Sequence, residues 1–280
     1  MNRLPLERRA LILGLLTEGN SMRATSRIAG VSINTVTKLL VDVGAACAEY
    51  QDRELRNLPC TNVQADESWA YCYSKQKNVP EEHQGTVGYG EVWTWTAICA
   101  DTKLVPSWLV GERTIDDAYV FMQDLKSRLP NRVQLTTDGY TPYWTAVGLT
   151  FGREIDFAQL QKLYGADPNV AGTTRYSPAV CTGTKTRIMR GNPDPAKINT
   201  SYVERQNLTM RMGMRRFTRL SNGFSKKVEN LAHAVSLHYI HYNFVRPHKT
   251  LSKPYATTPA MAAGVADHVW SLAEVAQLSN

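Results

Sequence analysis

Three acids in this 280-residue chain stand where they could hold a divalent cation: Asp66, Asp138 and Glu204. Asp66 lies in the run Thr61-Asn62-Val63-Gln64-Ala65-Asp66, continued by Ser68-Trp69-Ala70-Tyr71-Cys72-Tyr73, which reads as the first strand of a core. Asp138 closes a second strand-like run, 132–137, just before Gly139. Glu204 sits in the first turns of a strongly basic helix. In an α/β sheet the first strand and a strand crossing back beside it are neighbours, so Asp66 and Asp138 are expected to meet. A helix laid over that sheet edge would deliver Glu204 to the same point. Converging carboxylates repel one another unless a cation lies among them. Hard oxygen ligands favour Mg²⁺ or Mn²⁺ over zinc. For the third place Glu154, Asp156, Asp167 and Asp194 compete with Glu204, and an intrahelical ion pair is the plainer use of one acid in a basic helix. Strand alternation turns Glu67 away from Asp66, into a supporting role.

These acids need a scaffold. Residues 61–73, 92–100 and 103–110 read as strands, 114–129 as an amphipathic helix stopped by Pro130-Asn131, 132–137 as a strand, and a short helix starts at Pro142. The expectation is an α/β core with a mixed sheet: a long hairpin, then a crossover to a strand beside the first. Residues 152–200 are rich in Gly, Thr and Pro and read as a loop-rich insertion. Helices resume at 201–219 and 226–244, then at 259–266, and after Ser271, which forms a capping box with Glu274. Trp69, Trp93, Trp95 and Trp108 read as core and sheet-face aromatics, and His238 and His241 as packing or interface residues.

Ahead of this core the first 48 residues read as three helices, joined to it by a connector over 49–61. The segment from Arg27 to Leu40 resembles a helix-turn-helix DNA-binding motif. Gly30 permits the turn, and Val31, Ile33, Val36 and Leu39 or Leu40 lock the two helices together. Ser32 caps the second helix, and with Asn34, Thr35, Thr37 and Lys38 it is offered to the major groove.

Charge distribution agrees with a polyanionic partner. The net charge is +7, with an acidic middle between basic ends. Between positions 203 and 227 there are seven bases and one acid. Arg205, Asn207, Arg211, Arg215 and Arg216 would position a phosphate backbone. The five cysteines are odd in number and include no CxxC pair, which argues against a disulfide framework or a zinc site. No apolar run approaches the ~20 residues of a membrane span, and no secretory signal is evident. A cytoplasmic chain with no membrane partner is expected.

Taken together, Ala65-Asp66-Glu67-Ser68-Trp69-Ala70-Tyr71, Thr136-Thr137-Asp138-Gly139-Tyr140 and Tyr202-Val203-Glu204-Arg205-Gln206-Asn207, with Asn243-Phe244-Val245-Arg246-Pro247-His248 and Thr258-Pro259-Ala260-Met261-Ala262-Ala263-Gly264 downstream, resemble the bacterial insertion-sequence DDE transposases of the IS1 type. The second acid separation, 66 residues, is long for that group. The resemblance implies a ribonuclease-H-like core over 62–250 and a C-terminal helical tail over 251–280. It further implies two Mg²⁺ or Mn²⁺ ions per site held by Asp66, Asp138 and Glu204, cleavage of element ends in duplex DNA, and strand transfer into a target. A bacterial, nucleoid-associated location follows from the same likeness. Paired ends require at least a dimer on DNA, for which 231–244 and 259–278 are the expected contacts. A catalytically silent, transposase-derived DNA-binding regulator is the alternative.

Overall fold

The computed structural model describes residues 3–165, 180–218 and 222–280. Three helices come first: α1 (Leu6–Thr17), α2 (Met22–Ala29) and α3 (Ile33–Glu54). Ser21 and Ser32 cap α2 and α3 by accepting the Ala24 and Thr35 N–H groups, and Gly30 turns the chain between them at φ 59°. The two helices meet at 110°, within the range of helix-turn-helix units. Val36, Leu39 and Leu40 are buried, but Ile33 is 40% exposed. As the first residue of α3 it stands at the helix end, off the buried stripe.

α3 does not stop near residue 48. It runs to Glu54, so the first part of the expected connector is helix. The reason is a buried stripe that continues through Cys47, Gln51 and Leu55. Gln51, whose polarity disguised the stripe, donates to the Cys47 and Ser236 carbonyls, and Arg128 donates to the Leu55 carbonyl at the helix end.

The sheet begins with β1 (Asn62–Cys72), β2 (Gly90–Cys99) and β3 (Ser107–Gly111), an antiparallel meander. After α4 (Ile115–Arg128), β4 (Val133–Thr137) returns parallel to β1. After α5 (Pro142–Phe151), β5 (Ile155–Gly165) pairs parallel with β4, and β6 (Val180–Arg190) pairs antiparallel with β5. The order is β3-β2-β1-β4-β5-β6. This is the mixed, ribonuclease-H-like α/β core expected, preceded by an all-helical segment. The stretch 152–200 is a correction. It contributes two strands of 11 residues each to the sheet, and what its Gly and Thr content concealed was the pairing of β5 with β4. Residues 166–179, Asp167 among them, lie outside the described residues.

Among the described residues four α-helices follow: α6 (Ser201–Gly213), α7 (Val228–Ile240), α8 (Pro259–Ala262) and α9 (Leu272–Gln277). α6 ends at Gly213, short of the expected 219, and a single 3₁₀ turn follows at Arg215–Phe217; Arg219 lies outside the described residues. α7 is sandwiched between α3 and the sheet. Its Leu231, Val235 and Tyr239 are buried, and the Tyr239 hydroxyl meets Thr96 of β2 at 2.7 Å. The capping box of Ser271 and Glu274 is formed, and α9 packs on α1, where Arg9 reaches the Ala276 carbonyl. The two segments expected to pair subunits are thus engaged within the chain itself, since their apolar stripes cover the sheet and the N-terminal helices. Among the described residues no single helix is long and apolar enough to cross a membrane.

Candidate active site

The parallel β1–β4 ladder ends with Ala65 opposite Thr137, and the next residue on each strand is an aspartate. Asp66, in the interior of β1, and Asp138, just past the carboxyl end of β4, therefore stand side by side, the latter at the usual place for a site in such a sheet. Carboxylate oxygens of Asp66, Glu67 and Asp138 all come within 4.8 Å of one another. Alternation does divide Asp66 from Glu67. Asp66 accepts from Asn207 Nδ2 of α6 at 2.9 Å, whereas Glu67 accepts from Tyr143 of α5 at 3.0 Å and pairs with Arg113 at 2.6 Å. Asp138, at the strand end, is close to both. The Glu67 side chain is 1% exposed, and it stands in the cluster with Asp66 and Asp138, nearer than alternation alone indicated.

Glu204 reaches the same cleft by a separate device. The first turn of α6 has no side-chain cap of its own. Its open Tyr202 and Val203 N–H groups donate to Gln64 Oε1 at 2.8 and 3.2 Å. Gln64 is fully buried in β1, two residues before Asp66, so one side chain fastens the helix carrying Glu204 to the strand carrying Asp66. The Glu204 carboxylate accepts from Thr200 at 2.6 Å and pairs with Lys162 of β5 at 2.5 Å. It lines the cleft with Asp66 and Asp138 but is not one of the three carboxylates in closest approach. The described competitors are engaged elsewhere: Glu154 lies near Lys126, Asp156 pairs with Arg132, and Asp194 caps a 3₁₀ turn.

Burial dominates the electrostatics of the clustered acids. Removal from water, then the Glu67 and Asp138 carboxylates, push Asp66 up to about 8. Burial likewise raises Asp138, against the Tyr140 N–H and Arg113, and raises Glu67 despite its bond to Arg113. Asn207 Oδ1, beside Asp66, is buried without a hydrogen-bond partner. Crowded, desolvated carboxylates with an orphaned amide oxygen and no His or Cys suit a hard divalent cation.

The cleft has a volume of about 870 Å³, and Arg205, Asn207 and Arg211 line it with the acids. Arg215 is exposed on the turn after α6, and Arg216 is directed inward, donating to Ser225. On α3, Asn34 and Lys38 are exposed, Lys38 pairing with Asp42 at 2.7 Å. The Ser32, Thr35 and Thr37 hydroxyls bond within their own helix. Two further site residues, Arg113 and Lys162, were not apparent in the sequence. Arg113 stacks on Trp93 and Tyr140 (4.7 and 4.0 Å to the ring centroids) while holding Glu67, and nothing local in sequence signals that. Lys162 belongs to the segment expected to be loop, and recognising β5 would have brought it to the site.

No protein-family profile and no curated protein matches the chain. Among solved structures it is similar to the Mos1 strand transfer complex, at 15% identity over 54% of this chain and 57% of that one, with a TM-score of 0.22. It is also similar to the piggyBac transposase synaptic complex with hairpin DNA, at 11% identity over 98% of this chain and 69% of that one, with a TM-score of 0.38. The match therefore spans less than two thirds of the Mos1 chain.

Proposed function

We propose that the chain is a DDE transposase of the insertion-sequence type, which cuts element ends in duplex DNA and joins them to a target. The observation that carries this reading is the pairing of Ala65 with Thr137, which makes Asp66 and Asp138 adjacent while Gln64 ties the helix of Glu204 to the strand of Asp66. Asp66, Asp138 and Glu204 would hold Mg²⁺ or Mn²⁺, two per site, with Asn207 orienting Asp66. When bound, such cations supply charge stabilisation of the attacking and leaving oxygens in phosphoryl transfer. The chain's own groups do the rest. Arg205 and Arg211 sit on the cleft wall, where guanidinium groups hold phosphate oxygens. Arg113 and Tyr143 hold Glu67 within the cluster. Asn34 and Lys38 of α3 serve recognition of duplex DNA, and the protein assembles on paired ends as a dimer or higher oligomer in a bacterial cytoplasm.

Joining is the step that separates a transposase from a nuclease. A labelled duplex with a recessed 3′-hydroxyl element end is incubated with supercoiled plasmid and Mn²⁺. Covalent transfer of the label to plasmid supports the reading. Hydrolysis without transfer would reduce it to a nuclease, and tight duplex binding without either reaction would favour the silent regulator.

A further inference from the structure

β5 and β6 continue as a pair past the end of their neighbour. β4 pairs with β5 only over residues 155–159, while the β5–β6 register runs from Phe157 opposite Arg190 to Gly165 opposite Val180. Beyond residue 159 the two strands form a two-stranded ribbon, with β6 at the edge of the sheet. Between 157 and 193 the sequence carries five bases, Lys162, Arg175, Lys185, Arg187 and Arg190, against the single acid Asp167.

The register sorts these bases. Lys185 is opposite Gln161, Arg187 opposite Gln159, and Arg190 opposite Phe157. Directly opposed residues share a face. Strict alternation would turn Arg190 away from Lys185 and Arg187, but the irregularity between Phe157 and Ala158 adds a residue to β6 and returns it to their side. All three bases therefore line one face. That face is the one bearing the Asp138 turn: Gln159 donates to the Tyr140 carbonyl at 3.1 Å, and Gln161 lies against Gly139 and lines the cleft. Lys185 is thus one strand spacing, about 5 Å, from the cleft wall. Lys185 and Arg187 are exposed, whereas Arg190 is partly buried and donates to the Gly152 carbonyl at the end of α5.

We propose that this face of the β5–β6 ribbon is a track for the phosphate backbone of duplex DNA, leading to the acids; the proposal rests on reading the cleft as a DNA-cutting site. Charge complementarity names the occupant. The row is basic, continuous with the cleft wall, and carried on a ribbon of the width that a duplex groove admits. Basic side chains on an edge strand have one other established use, which is to keep edges of separate molecules apart.

The full-length protein carrying Lys185→Gln and Arg187→Gln separates the two. Binding to a fluorescent 30-bp duplex is followed against salt, with Mn²⁺ binding as a check that the acid cluster is intact. The expected result is unchanged Mn²⁺ binding, at least tenfold weaker duplex binding near physiological salt, and a log K against log salt slope flatter by roughly 0.9 for each phosphate no longer neutralised. Unchanged affinity and slope would overturn the proposal. So would an unchanged slope with new self-association, which would assign the bases to edge protection. Failure of the underlying reading looks different: the wild type would bind duplex with the full slope yet leave it uncut with Mn²⁺, and the ribbon would stand as a binding surface only.

Discussion

Asp66 within β1 and Asp138 just past the end of β4 stand one residue beyond the last paired position of the two parallel strands, Ala65 opposite Thr137, so the ladder brings the two carboxylates together. Glu204 lines the same cleft on a helix whose first turn is held by Gln64, and Glu67, paired with Arg113, stands in the cluster with the two aspartates.

Crowding has a consequence for stability. Asp66 is raised from 3.8 to about 8, so between those values the native state holds more protons than the unfolded one and stability falls as pH rises. In chelator, the thermal midpoint should drop between pH 5 and pH 8. Asp66→Asn should flatten that drop, and Mn²⁺ should reverse it in the wild type. An equally steep drop in Asp66→Asn would remove Asp66 as its source.

Gln64→Leu deprives the Tyr202 and Val203 N–H groups of their acceptor in a buried setting. A cost of about 1–3 kcal/mol is expected, with weaker Mn²⁺ binding and slower cleavage as Glu204 loses its position. Gln64→Glu keeps the acceptor and should recover part of both. Normal Mn²⁺ affinity and cleavage in Gln64→Leu would show that α6 is held by other means.

The α3–α7 interface has no room for a side chain at Gly44. A Cβ there would lie 2.6 Å from both Cβ and the carbonyl oxygen of His233. Gly44→Ala should therefore destabilise by about 1–3 kcal/mol through overpacking, read as a lowered midpoint in calorimetry. An unchanged midpoint would mean that the helices separate at little cost.

Asn34 and Lys38 are the exposed polar residues left at the start of α3 once the three hydroxyls have bonded locally. Lys38→Ala should flatten the salt dependence of duplex binding by roughly 0.9. Asn34→Ala should reduce discrimination at one base pair by about 1–3 kcal/mol. If both variants bind as the wild type does, these positions do not touch the DNA.

Much of this arrangement was legible in the sequence because the informative patterns are local. The runs through Asp66 and up to Asp138 announce their strands, Ser32 and Gly30 announce the turn between α2 and α3, and Ser271 with Glu274 announces a cap. Three things were not legible, each for a reason that lies far along the chain. α3 extends to Glu54 because Gln51 meets Ser236, and β5 exists as a strand because β4 is beside it. Arg113 matters because folding brings it to Glu67, 46 residues earlier. The basic helix was readable as a whole, but only the structure separates Arg205 and Arg211 on the cleft wall from Arg216, which turns inward.

In the proposed site Asp66, Asp138 and Glu204 together hold the cation that cuts DNA. Mn²⁺-dependent nicking of duplex DNA by the wild type, Asp66→Asn, Asp138→Asn, Glu204→Gln and Glu67→Gln side by side, with duplex affinity measured for each, tests that assignment. The expected result is nicking by the wild type, its loss in the first three variants with affinity retained, and residual nicking in Glu67→Gln. Nicking that survives Asp66→Asn or Asp138→Asn, or that survives Glu204→Gln and vanishes in Glu67→Gln, would contradict it.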